Sequence, residues 1–132
     1  MATQDLSSKL TPAVAFNLAT VNTDTTTNGV SVDTQGYESI MLVYGVGALT
    51  DGDYTPLVQE SSDNSNWSNV ADADLIGAEA DKALSVDNTV SKIGYKGNER
   101  YVRASVVSAN TTTGADVFAV AVQGDAHVAE GA

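Results

Sequence analysis

Short apolar runs recur along the chain, each closed off by turn-forming residues. Ala13–Val21 (AVAFNLATV) alternates in part and predicts a first strand. Asn22–Gly29 is polar, and its Asn28-Gly29 pair predicts a tight turn. Val30–Val32 is short and extended. Ser39–Val46 (SIMLVYGV) is apolar at nearly every position, which predicts a strand buried on both faces. Asp51–Asp53 predicts a turn. Tyr54–Ser61 predicts a strand with Pro56 near its start, where a missing N–H donor is tolerated best. Ser62–Asn66 is a second turn, and Trp67–Val70 returns from it to complete a hairpin. Ala71–Asp81 reads either as one helical turn or as a loop carrying Leu75 and Ile76 inward. Thr89–Tyr95, Tyr101–Val107 and Val117–Val122 are further strands, with Gly94–Gly97 as a hairpin corner and Thr111–Gly114 as a turn.

Seven or eight short strands with no sustained helical period predict an all-β chain, a single-domain β-sandwich or jelly roll. The expected division is an N-terminal arm over 1–11, a sandwich over 12–124 and a small-residue tail over 125–132. The arm and tail are expected to be flexible. Alternation within the strands nominates Ile40, Leu42, Tyr44, Val58, Trp67, Val102, Val106, Phe118 and Val120 as core.

Composition narrows the function. The chain has 132 residues, suited to one domain, and no cysteine, which excludes disulfides, thiolate metal sites and thiol nucleophiles. Seventeen acidic residues against six basic give a net charge of −11. Such a charge repels phosphate, so no nucleic-acid partner is expected. Met1–Thr20 has no basic stretch followed by an apolar run and is not read as a signal peptide. No apolar run reaches the length of a membrane span, so no membrane partner is expected.

Candidate chemistry is sparse. His127 is the one histidine, with no neighbours from which to build a triad or metal site. Asp51 and Asp53 flank Gly52, and Asp72 and Asp74 flank Ala73. Spacing of two within a turn fits neither a glycosidase pair nor a full calcium loop. Turn-forming aspartates explain both pairs better, with calcium at Asp51 and Asp53 as the less favoured reading. No nucleophile elbow or phosphate loop is present. The chain is therefore read as non-enzymatic and without a cofactor. Five of the six basic residues, Lys82, Lys92, Lys96, Arg100 and Arg103, fall within one stretch. They either pair with local carboxylates such as Glu99 or form a positive patch that faces an acidic patch on a neighbouring subunit. Trp67, the one tryptophan, is read as core, with a sugar-stacking tip as the alternative.

Val32-Asp33-Thr34-Gln35-Gly36-Tyr37-Glu38-Ser39, Gln59–Trp67, Ala73–Gly77, Ile93–Gly97 and Arg100–Arg103 together resemble a family of small tailed-phage and prophage proteins. Its members are encoded in the head-structure region, near the major capsid protein. The likeness spans Val32 to His127. Many members end in a Gly-His-Pro-His-like tail, whereas this chain reads Gly124-Asp125-Ala126-His127, so no role for tail histidines is carried over as such. The resemblance implies a decoration, or cement, protein. Such a protein is made in the host cytoplasm and binds the outer surface of the assembled capsid. Its partners would be the major capsid protein and further copies of itself, a trimer among the options. Lys9, Lys82, Lys92, Lys96, Arg100, Arg103 and His127 are the candidate contacts. A head–tail joining or tail component and a virion-displayed glycan-binding module are the alternatives.

Overall fold

The computed structural model describes residues 10–126. Ten strands make up two antiparallel sheets: β1 (Leu10–Val21), β2 (Thr26–Thr27), β3 (Ser31–Asp33), β4 (Tyr37–Leu49), β5 (Asp53–Ser61), β6 (Ser68–Asn69), β7 (Leu75–Ile76), β8 (Thr89–Tyr95), β9 (Tyr101–Ala109) and β10 (Ala115–Ala126). The first sheet has the order β1-β10-β4-β8-β7. In the second, β9 lies between β5 on one side and β2 and β3 on the other, and β6 closes the β5 edge. The fold is the expected all-β sandwich.

The pairing is nested. β1 pairs with β10, β2 and β3 pair with β9, β4 pairs with β8, and β5 pairs with β6. β2 and β3 act as one strand interrupted at 28–30. A long two-stranded ribbon folded over itself has this pattern, and it is the topology of a jelly roll. The interruption also closes one edge of the sandwich. The Val30 N–H reaches across to the carbonyl of Ala15 in β1 at 2.8 Å. Gly29 lies so close to the carbonyl oxygens of Ala104 and Ala15 that a Cβ would overlap both.

The core lies between the sheets. Leu42, Tyr44, Val46 and Ile93 come from the first sheet, and Tyr54, Val58, Val102 and Val106 from the second. Each buried tyrosine finds a partner for its hydroxyl. Tyr54 donates to the carbonyl of Asp51 at 2.8 Å, and Tyr95 to Glu60 at 2.7 Å. Burial pushes the hydroxyl pKa of both upward. Pro56 lies in the first half of β5, near the start as the sequence predicts, with its nitrogen on the side away from β9. Tyr54 and Val58, two residues to either side, turn their N–H groups away from β9, to the Leu84 carbonyl and to Glu79 Oε2. The missing donor of Pro56 therefore removes no ladder bond.

Several expectations are corrected. Phe118 and Val120 are only partly buried, because Val117, Ala119 and Ala121 are the β10 residues that face the core. Both parities of VFAVAV are apolar, and the small side chains point inward where the sheets approach. Trp67 is partly buried rather than core. Gly94–Gly97 is not a hairpin corner, since β8 belongs to the first sheet and β9 to the second. β1 takes in Leu10 and Thr11, assigned above to the arm, and β10 takes in Asp125 and Ala126, assigned to the tail. The ambiguous segment holds two 3-10 turns, Asp72–Asp74 and Glu79–Lys82, around β7. Leu75 is buried while Ile76 points outward.

Candidate interaction surfaces

The register places the candidate contacts. At one end of the sandwich, Leu10 lies opposite Gly124, Gly124 opposite Ser39, and Ile40 opposite Tyr95. The matching end of the second sheet is the Asp33–Tyr101–Ser61 row. The two are tied by Thr34, whose N–H donates to the Arg100 carbonyl and whose carbonyl accepts from Tyr37. The 96–100 connection crosses between the sheets at this end, with the Lys96 N–H bonded to the Asp74 carbonyl beside β7 and Arg100 held against Asp33. Lys9 and His127 lie outside the described residues.

The two arginines are already engaged. Arg100 makes a two-pronged ion pair with Asp33, Nε to Oδ1 at 3.0 Å and Nη2 to Oδ2 at 2.8 Å, with both side chains about half exposed. The guanidinium holds the Asp33 carboxyl below its usual range. The partner is thus Asp33 and not the neighbouring Glu99. Arg103 stacks on the Trp67 ring at 4.4 Å and donates from Nε to Gln59 at 2.8 Å. That stack gives Trp67 a structural partner and covers one face of the ring.

The opposite end is acidic. Asp51 accepts from the N–H groups of Thr112, Thr113 and Gly114, at 2.9, 3.0 and 2.9 Å. Asp24 takes both the N–H and the hydroxyl of Thr111, and Asp53 accepts from Asn110. These bonds hold the Asp51 and Asp24 carboxyls below their usual range. Asp51 and Asp53 face different partners, and among the described residues no group of three or more His, Asp or Glu is placed to hold a metal. Sequence reasoning identifies Asp51 and Asp53 as turn aspartates. It missed that Asp51 caps a loop sixty residues away rather than its own. Asp63, which gathers the N–H groups of Ser65 and Asn66, does cap its own turn.

The remaining surface was not foreseen. The outward side chains of the first sheet are apolar in consecutive rows. One row reads Pro12, Val122, Met41, Gly94, Ile76, and the next Val14, Val120, Val43, Lys92. The third holds Phe118, Gly45 and Val90. Val14, Ile76 and Val90 are 55%, 64% and 67% exposed. Two shallow hollows open on this face. One is lined by Leu10, Met41, Ile76, Lys82, Lys92 and Val122, the other by Val14, Leu18, Gly47, Asp116, Phe118 and Val120. A sheet with one face in water normally alternates apolar inward and polar outward. The second sheet does so more nearly, with Thr55, Gln59, Arg103 and Ser105 on the side away from the core. The continuous apolar run of β4, which predicted burial on both faces, is the sequence signal for this surface.

A scan against protein-family models finds no match to the chain. A search of curated proteins finds none either. Among solved structures, the chain is similar to the SPBc2 prophage-derived protein YomS, at 12% sequence identity and a TM-score of 0.41, over 86% of this chain and 91% of that one.

Proposed function

We propose that this protein is a structural, non-enzymatic part of a phage particle that binds the outside of the assembled capsid and bridges capsid subunits, as a decoration or cement protein does. The sequence resemblance supplies the class. The supporting observation is the convergence at one end of the sandwich. The strand ends leading to the two terminal segments lie together there, and the connection carrying Lys96 and Arg100 crosses at the same end. A domain that docks on end can place both segments and Lys96 against one shell, leaving the Asp51 end toward solvent. Repetition over a symmetric shell turns modest contacts into large combined stabilisation.

The test is co-sedimentation of the purified protein with bare capsids. The protein is expected to pellet at low salt and less so at high salt, since exposed charges are screened beyond about 10 Å at 0.1 M. Deletion of residues 1–9, which stops short of β1, and Lys96→Glu are each expected to weaken pelleting. Protein that stays in the supernatant at every salt concentration overturns the reading. A copy number of a single ring instead of hundreds per particle assigns it to the head–tail joint.

A further inference from the structure

The outer face of the first sheet calls for a partner of its own. Contiguous exposed apolar surface of this extent marks an interface. We propose that two copies of this chain pack on that face, sheet against sheet, about a two-fold axis that passes over Gly45. This is separate from docking to a shell, which uses the end of the sandwich and not its side.

Charge selects a second copy as the occupant. A chain of net charge −11 repels its own copies, so it associates with itself best through a surface poor in acid. The apolar rows supply one. They contain a single cation, Lys92 on β8, and are bordered by Lys82 beside Ile76 and by Asp116 on β10, which accepts from Thr20 in the hollow beside Phe118. β4 runs between these two strands. Lys92 is level with Val43, while Asp116 lies between the levels of Val46 and Leu49. Gly45 is therefore close to the midpoint of the two charges. A two-fold axis there brings Lys92 of each copy to Asp116 of the other, the reciprocal contact that an isologous interface requires.

Shape agrees. Gly45, Gly47 and Gly94 keep the face low, and Phe118 lies flat over Gly45 near the proposed axis. The four longer strands, β1, β10, β4 and β8, at about 4.8 Å spacing and about eight residues of strand length give a face of about 500 Å². Two copies would bury about 1,000 Å², the lower bound for a specific interface. Facing sheets pack about 10 Å apart.

The experiment is sedimentation velocity on the full chain from about 1 μM to about 100 μM, the range expected for an interface of modest size. Reversible dimerisation is expected. Val43→Glu, at the centre of the face, should leave a monomer, and so should Val90→Glu, whose exposed position cannot harm the fold of the single copy. Lys92→Glu and Asp116→Lys should each weaken the dimer about tenfold or more, and the double swap should restore it. Thr55→Glu, on the other sheet, should have no effect. A folded protein that stays monomeric throughout, or a dimer that survives Val43→Glu and Val90→Glu, overturns the proposal. Single swaps without rescue overturn the two-fold register.

Discussion

Phe118 lies across Gly45 on the solvent side of the first sheet, directly opposite it in the β10–β4 ladder, and a Cβ at position 45 would overlap the ring. The glycine thus gains cover that its own missing side chain cannot give, and the aromatic ring gains a flat seat.

That relationship predicts an asymmetry. Phe118→Ala should cost about 1–2 kcal/mol, less than the roughly 3–5 kcal/mol of a core phenylalanine, because the ring is partly exposed. Gly45→Ala should cost about 1 kcal/mol, since the far end of the ring can swing away. In the double variant the two costs should not add, because each removes the same contact. Urea unfolding of the four proteins checks this, at a concentration where all are monomeric.

Gly29→Ala should be far more damaging. A Cβ there meets the carbonyl oxygens of Ala104 and Ala15, which are backbone atoms in two different sheets and cannot swing aside. We expect a loss of more than about 3 kcal/mol, at the large end for single substitutions. Gly36→Ala, at φ +95° with open space around it, should cost only about 1–2 kcal/mol from the left-handed backbone. Thermal melts that rank the two equally would refute the closed-edge description.

For Trp67 the structure revises the expected cost. A core tryptophan would cost about 3–5 kcal/mol on truncation to alanine. Partly buried beneath Arg103, it should cost about 1–2 kcal/mol, with about 0.5–1 kcal/mol of that coupled to Arg103 through the cation–π stack. A double-mutant cycle between Trp67→Ala and Arg103→Gln measures the coupling.

Acid should weaken the fold. Asp24, Asp33, Asp51 and Asp63 all have carboxyl pKa values depressed by hydrogen bonds in the folded chain. A depressed acid contributes stability above its ordinary value of 3.8, and that stability is lost as pH falls through the folded value. Glu79, raised by burial, acts in the opposite direction but is one group against four. The melting temperature should therefore drop as pH is lowered below about 4. Asp51→Asn should be less stable at pH 7 and show a shallower drop. A wild-type melting temperature that rises on acidification would contradict these assignments.

Much of the fold was legible because the strands announce themselves. β4, β5, β8 and β9 follow the apolar runs. Ser62–Asn66 marks a real turn, whereas Asn28-Gly29, read as a tight turn, is extended chain between β2 and β3. What period-2 reasoning could not decide was direction. In β10 both parities are apolar, so the pattern points Phe118 and Val120 inward, whereas Val117, Ala119 and Ala121 fill that side. The same ambiguity hid the apolar face, since a strand facing a core and a partner reads like one facing two cores. The basic stretch was visible, but not that Arg100 and Arg103 are engaged by Asp33, Gln59 and Trp67, residues up to sixty-seven positions away. Long-range pairing leaves no local trace in side-chain pattern.

The nested ladders also govern how the chain can be made. β10, the last of the described strands, lies between β1 and β4. An emerging polypeptide can close the β5–β6 hairpin early, then bring β8 to β4 and β9 to β2 and β3. β1 must wait through more than ninety residues of synthesis for its ladder partner. Closing that widest loop carries the largest entropy cost of the set and rewards it only at the end. A nascent chain stalled before Ala115 would hold the edges of β1 and β4 open to other strands, so release of the last segment is the step that makes the sheet whole.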